Sequence, residues 1–131
     1  MTFESTPLNF LDLRRRMREN GDLSHIQHML EFTEQIMKSI EGKSKPEFLA
    51  NPDIRDVTIY RLQTIGTAAV YVSRFSRQQF PKVPWRRIIN IRNKIVSNIL
   101  EPDYDEVWAI IQSELPKYII QLKEIPLIET K

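Results

Sequence analysis

The chain has 131 residues, three glycines, no cysteine and a formal charge of +2: enough for one domain with its own core, with no disulfide framework or thiolate metal site. No apolar run approaches the roughly 18 residues of a membrane span and no signal-peptide core opens the chain, so a reducing cytoplasm is the expected location. The charge is too small to mark a nucleic-acid binder by itself, and the absence of strand-like alternation leaves an all-α class.

Residues 1–22 form an N-terminal extension. Asn9 is placed to cap a short helix, and Asn20-Gly21 is a stop signal. The cluster Arg14, Arg15, Arg16 and Arg18 beside Phe10, Leu13 and Met17 reads either as a solvated helix face or as a contact for phosphate or an acidic partner. The spacing of Ile26, Met29, Leu30, Ile36, Met37 and Ile40 predicts a helix over Ser24–Ile40, capped by Ser24 and ended by Gly42. His25 and His28, three apart, are compatible with metal binding but have no visible third ligand, so no metal is expected.

Lys43 to Pro52 reads as a connector with a helical turn at Pro46–Leu49, its Phe48 and Leu49 turned under the bundle. Asp53 then opens a helix to about Ser76, with Ile54, Val57, Leu62, Ile65, Ala68, Ala69 and Val72 inward. Gly66 inside it costs about 1 kcal/mol against alanine, which points to close approach by a neighbouring helix. Phe75–Val83 reads as a connector, because Pro81 and Pro84 stop helix continuation. Around it Arg74, Arg77, Lys82, Arg86 and Arg87 make the densest basic region, a candidate for phosphate contact or an ordinary solvated surface.

Pro84 suits the first position of the next helix, whose stripe is Ile88, Ile91, Ile95 and Ile99. Arg92-Asn93 interrupts it: a permanent guanidinium there must reach solvent, a carboxylate or a phosphate. The last helix runs from Asp103 to about Ile125, with acid in its first turn and a kink expected at Pro116. The tail 126–131 is expected to fray. Four principal helices plus a short N-terminal one give an up-down bundle.

Pro84-Trp85-Arg86, Ile88-Ile89 and Arg92-Asn93, standing between Ile65–Ala69 and Asp105–Ile111, resemble the HepT-like branch of the HEPN superfamily over about residues 23–125. The resemblance implies a small helical ribonuclease toxin that needs no metal or cofactor. It also implies a homodimer, formed largely by the Gly66 helix and the motif helix, and a minimal nucleotidyltransferase antitoxin as partner. The family's motif is Arg, four to six residues, His, any residue, Tyr. Arg92 fits it, but the His position holds Ser97 and the Tyr position holds Ile99.

Imidazole can move a proton near neutral pH, whereas a serine hydroxyl needs a separate base, and Val96 and Asn98 supply none. An ideal helix also sets Arg92 and Ser97 about 140° apart, so convergence needs a bent helix end or a second subunit. Three readings follow. The first is a catalytically degenerate member that keeps the bundle and the partner. The second is an active ribonuclease using Arg92 and Asn93 with Ser97, His25 or His28. The third is an adaptor that presents a surface to a nucleotidyltransferase. In the family the motif tyrosine accepts AMP; Ile99 cannot, which leaves Tyr104 as the nearest acceptor or as a tyrosine packed at a helix start.

Overall fold

The computed structural model describes residues 9–127, and all the regular structure among them is helical. The helices are α1 (Phe10–Glu19), α2 (Asp22–Ser39), α3 (Lys45–Ala50), α4 (Pro52–Tyr71), α5 (Arg74–Gln79), α6 (Trp85–Ser97), α7 (Tyr104–Ser113) and α8 (Leu115–Lys123). α4 is central: α2 and α6 pack along it, α8 and α1 rest on α2, and α3 bridges α4 to α7. This is the expected all-α bundle, with α7 and α8 together as its fourth principal helix. α2 runs antiparallel to α4, since His25 stacks on Tyr71 while Phe32 meets Tyr60 edge-on.

The core is built from the predicted stripes except at Val57 and Ile99, which are exposed: Val57 turns to the outer side of α4, and α6 ends at Ser97, before Ile99. Met17, Ile26, Met29, Ile36, Phe48, Ile111, Leu115 and Leu122 are fully buried. Burial of such side chains contributes about 1.5–3 kcal/mol each, the favourable term that offsets chain entropy. Phe48 does turn under the bundle, its ring 5.2 Å from that of Trp108. A reciprocal cap between Ser44 and Glu47 sets the start of α3. No helix among the described residues is long and apolar enough to cross a membrane.

Gly66 explains how close α4 and α6 lie. A Cβ at Gly66 would stand 2.1 Å from Arg92 Cβ, 2.8 Å from Arg92 Cγ and 3.2 Å from the carbonyl oxygen of Ile88. Real Cβ atoms do not approach so closely, so only hydrogen fits. The conformational cost of a mid-helix glycine is the cost of letting the Arg92 stem lie on the α4 backbone.

The end of α4 is set by a buried carboxylate. Val72 and Ser73 are extended, and Ser73 caps α5 by accepting from the N–H of Ser76. Asp22, at the start of α2 and 1% exposed, accepts from the Ser73 N–H at 2.8 Å and from the hydroxyls of Ser73 and Ser76. Burial by itself pushes this carboxyl up, but the hydrogen bonds from Ser73 and Ser76 more than reverse it and hold it below the usual carboxylate range. Arg77 covers the loose end of α4, donating to the carbonyls of Ala69 at 2.8 Å, Val70 at 3.1 Å and Val72 at 3.1 Å. No glycine or proline marks this break, because its cause lies fifty residues away in Asp22.

Several expected boundaries move. α2 opens at Asp22 behind Gly21, whose φ is +84°, instead of being capped by Ser24. Asn51 caps α4 by accepting from the Ile54 N–H, with Pro52 rather than Asp53 as the first helical residue. α4 stops at Tyr71 instead of near Ser76, and part of the expected connector is the helix α5. Pro84 is the residue before α6 rather than its first residue, and α6 ends at Ser97. Pro116 produces a full break: Glu114 ends α7, and Pro116 sits in the first turn of α8, where its missing N–H leaves no bond unmade. Of the expected frayed tail, Pro126 and Leu127 are described and 128–131 lie outside the described residues.

Two stability measurements test these anchors. Gly66→Ala is expected to destabilise the protein by about 1–3 kcal/mol through overpacking, read from denaturant midpoints; an unchanged midpoint contradicts the close contact. The depressed carboxyl of Asp22 contributes stability above its unfolded-state value of about 3.9, and that contribution is lost as pH falls through the folded-state value. Asp22→Asn is therefore expected to be less stable at pH 7, with the gap to the unmodified protein closing below about pH 4. A gap that stays constant with pH excludes a charged Asp22 as the anchor.

Candidate functional site

α6 is amphipathic, with Trp85, Ile88, Ile91 and Ile95 buried. The Trp85 indole N–H donates to the Phe80 carbonyl at 3.0 Å and fixes where the helix starts. From this base Arg92 leaves the helix beside Gly66, half-buried on the α4 side. Its Nη1 donates to Asn93 Oδ1 at 2.9 Å, whereas its Nε is buried with no hydrogen-bond partner among the described residues. A guanidinium aimed by one neutral side chain, with no ion pair to a carboxylate among the described residues, has several donors left for an anionic ligand.

Ser97 does not join it. It is the last residue of α6, and its hydroxyl faces back onto the helix, within 3.0 Å of both the Asn93 and Lys94 carbonyls. The helix holds through Ser97, so the bend that would bring it towards Arg92 in one chain does not occur. Ile99 follows the helix end, half exposed. His25 stacks on Tyr71 with ring centroids 5.6 Å apart. Tyr71 lies five residues beyond Gly66, about 7.5 Å along α4, and His28 is exposed on α2. No group of three or more His, Cys, Asp or Glu among the described residues is placed to hold a metal.

The basic residues around α5 and the start of α6 divide into two sets. Arg74, Arg77, Arg86 and Arg87 line one open groove together with Trp85 and Asn90. Arg77 is engaged with the end of α4. Arg87 makes a two-point ion pair with Glu114, at 2.8 and 2.7 Å, and Tyr118 donates to the same carboxylate at 2.7 Å. The Glu114 bond raises the Arg87 pKa, and the Arg87 bond holds the Glu114 carboxyl below its usual range. Burial, then the Glu114 bond, pushes the Tyr118 phenol up. Arg74, Arg86 and, in an adjoining groove, Lys82 are exposed, with no hydrogen bond or ion pair to their side chains among the described residues. On α6 the exposed Arg86, Asn90, Asn93 and Ser97 recur at steps of four, three and four, which runs a polar strip from this groove to the Arg92–Asn93 pair.

One simple signal marks this surface in the sequence. Between Asp56 and Glu101 there is no acidic residue, while Arg61, Arg74, Arg77, Lys82, Arg86, Arg87, Arg92 and Lys94 fall in that interval. A net charge of +2 hides this because acid is concentrated in the remainder. Tyr104 packs at the start of α7, with the Arg55 guanidinium 4.6 Å from its ring centroid and its hydroxyl donating to Asp56 at 3.2 Å. Burial and that bond raise its pKa. Apolar side chains also stand outside the core on α4: Val57, Tyr60 and Tyr71, with the half-buried Thr64 and Thr67 between them at helical spacing; Tyr60 and Tyr71 are 60% and 66% exposed. Val96, Ile99 and Leu100 lie exposed at the end of α6.

Residues 29–125 match the family described as ribonuclease HepT-like. A protein of Methanocaldococcus jannaschii, named "Putative RNase MJ1380", is 32% identical over 89 residues, covering 68% of this chain and 82% of its own. "Putative RNase TTE0752" of Caldanaerobacter subterraneus subsp. tengcongensis is 28% identical over 101 residues, 77% of this chain and 90% of its own. "Probable ribonuclease HepT" of Thermococcus cleftensis is 22% identical over 94 residues, 72% of this chain and 83% of its own. No solved structure matches.

Proposed function

The chain belongs to the ribonuclease HepT-like family, and we propose that it is a member that contacts RNA through Arg92 while cleaving it little or not at all. The observation that carries this reading is the position of Ser97. Metal-independent cleavage needs a group to take the 2′-hydroxyl proton and another to stabilise charge on phosphorus. Arg92 and Asn93 suit the second task. For the first, the motif position offers a hydroxyl bonded to its own helix carbonyls, with no base hydrogen-bonded to it among the described residues. Arg86 and Lys82 then guide the RNA backbone, with Arg87 and Arg77 holding the helices that present them.

A second reading keeps activity but places it between two chains. The exposed stripe of α4 and the apolar end of α6 offer apolar surface on the two helices that carry Gly66 and Arg92, and a two-fold dimer that used both would bring two motif helices together. His25, stacked on Tyr71 of that stripe, is then an imidazole at the interface. The family's partner, a minimal nucleotidyltransferase, is proposed for either reading. Tyr104 is the phenol to examine for AMP transfer, with Asp56 already holding its hydroxyl.

Cleavage of a mixed RNA pool separates the readings. The unmodified protein is expected to be inactive, with Ser97→His creating cleavage that Arg92→Ala abolishes. Cleavage by the unmodified protein that is lost in Arg92→Ala overturns degeneracy and supports the two-chain site. If every version is inactive, catalysis is not within reach of position 97, and the adaptor reading takes over. Light scattering is expected to give a dimer, with Tyr60→Asp shifting it to monomer; a monomeric unmodified protein removes the two-chain reading. Intact mass after incubation with the nucleotidyltransferase and ATP reads the modification: if AMP is transferred, a single increment is expected that is absent in Tyr104→Phe. No gain in the unmodified protein ends the case for Tyr104.

A further inference from the structure

The helix α1 lies outside the residues that match the family, yet it is built into the same body. Met17 is fully buried, Leu13 packs against the core, and Asn9 caps the helix by accepting from the Asp12 N–H at 2.8 Å. Its four arginines are therefore carried on a fixed helix rather than on a tail, and their positions differ in use. Arg14 donates to the Leu127 carbonyl at 3.2 Å. Arg15 pairs with Asp12 at 3.1 Å. Arg16 lies over the ring of Phe75, its guanidinium carbon 3.7 Å from the centroid. Arg18 is exposed, with no hydrogen bond or ion pair to its side chain among the described residues.

The contact between Arg16 and Phe75 joins α1 to α5 beside Arg74. A guanidinium held over an aromatic face is kept in place while its N–H donors, which lie in its own plane, remain available at the edge. Arg74 in turn shares the open groove with Arg86, and no Asp or Glu lines that groove. Arg16, Arg74 and Arg86, none with a carboxylate partner among the described residues, thus follow one another from α1 through α5 to the start of α6, whereas Arg18 lies about 200° round α1 from Arg16, on the other side of the buried Met17.

We propose that Arg16 extends the RNA-binding surface of the groove, so that α1 adds a further phosphate contact to the strand that Arg86 and Arg92 engage. This rests on the reading of the groove as an RNA site. The binding is electrostatic and independent of sequence. Each phosphate neutralised on a single strand releases counterions and adds to the salt dependence. A fixed helix makes this contact without the ordering cost that a flexible basic arm would carry.

The test is binding of fluorescein-labelled oligouridylate by the full chain, read by anisotropy across a salt series. Arg16→Ala is expected to bind severalfold more weakly at low salt. The slope of log K against log salt is expected to become shallower by about 0.7, one contact. Arg18→Ala, on the other flank of α1, is expected to change neither affinity nor slope by a comparable amount; circular dichroism confirms that both variants remain folded. Unchanged affinity and slope in Arg16→Ala, while Arg86→Ala weakens binding, overturn the α1 proposal and leave the groove as the whole site, and an equal loss in Arg18→Ala overturns the assignment to Arg16 in favour of a general charge effect. Unmodified protein that does not bind oligouridylate overturns the groove reading as well. An Arg16→Ala protein that binds RNA normally but loses binding to the nucleotidyltransferase assigns α1 to an acidic protein surface instead and overturns the proposal.

Discussion

The contact between Gly66 and the stem of Arg92 sets the geometry of the whole molecule. A helix pair normally keeps its axes 8–10 Å apart according to the side chains between them. Here the side chain between them is a hydrogen atom, so the aliphatic part of an arginine lies directly on the opposing backbone. The arginine then has one way out, along the α4 surface to solvent, and its Nε is buried in the process. A residue that is awkward in a packed helix is made tolerable because the neighbouring helix has given up a side chain for it. The packing of the bundle and the placement of the candidate RNA contact are one arrangement.

A second arrangement fixes what surrounds it. Asp22 ties the start of α2 to the start of α5, and Arg77 closes the end of α4 from the same side. The short α5 is thereby anchored at its start, and Arg74 and Arg86 share a groove formed by α5, the connector after it and the first turns of α6. Arg87 and Glu114 brace the far wall at the junction of α7 and α8. Two of the four arginines in that groove hold it together, and two remain open to a ligand.

Much of this was legible from residues alone. The apolar stripes of α2, α4 and α6 name the core almost residue by residue, and Gly66 announces a close approach before the neighbour is known. The motif Arg92-Asn93 with Ser97 five positions on already implies divergence of about 140°, because helical geometry is a property of the backbone. Local pattern fails where distant groups decide. Ser73 looks like a mid-helix serine until Asp22 reaches it, and Arg77 looks like a surface cation until the carbonyls of α4 are left open beside it. Pro116 signals a kink, but whether a proline bends a helix or starts a new one depends on Glu114 and Leu115 finding their places against Arg87 and the core. The acid-free interval between Asp56 and Glu101 was readable by position and concealed only by averaging charge over the chain.

The exposure of residues 97 and 99 has an evolutionary meaning. Ser97 is exposed, its hydroxyl bonded only within its own helix, and Ile99 is half exposed beyond the helix end, so neither side chain packs in the bundle. Substitutions at such sites change stability by a few tenths of a kcal/mol, typically within about ±0.5. The fold therefore exerts no selective pressure to retain or to exclude a histidine and a tyrosine there. Gly66 is different, since any larger residue collides with Arg92. A lineage built on this scaffold can drift at positions 97 and 99 with almost no penalty to folding, while the platform that presents Arg92 stays locked in place.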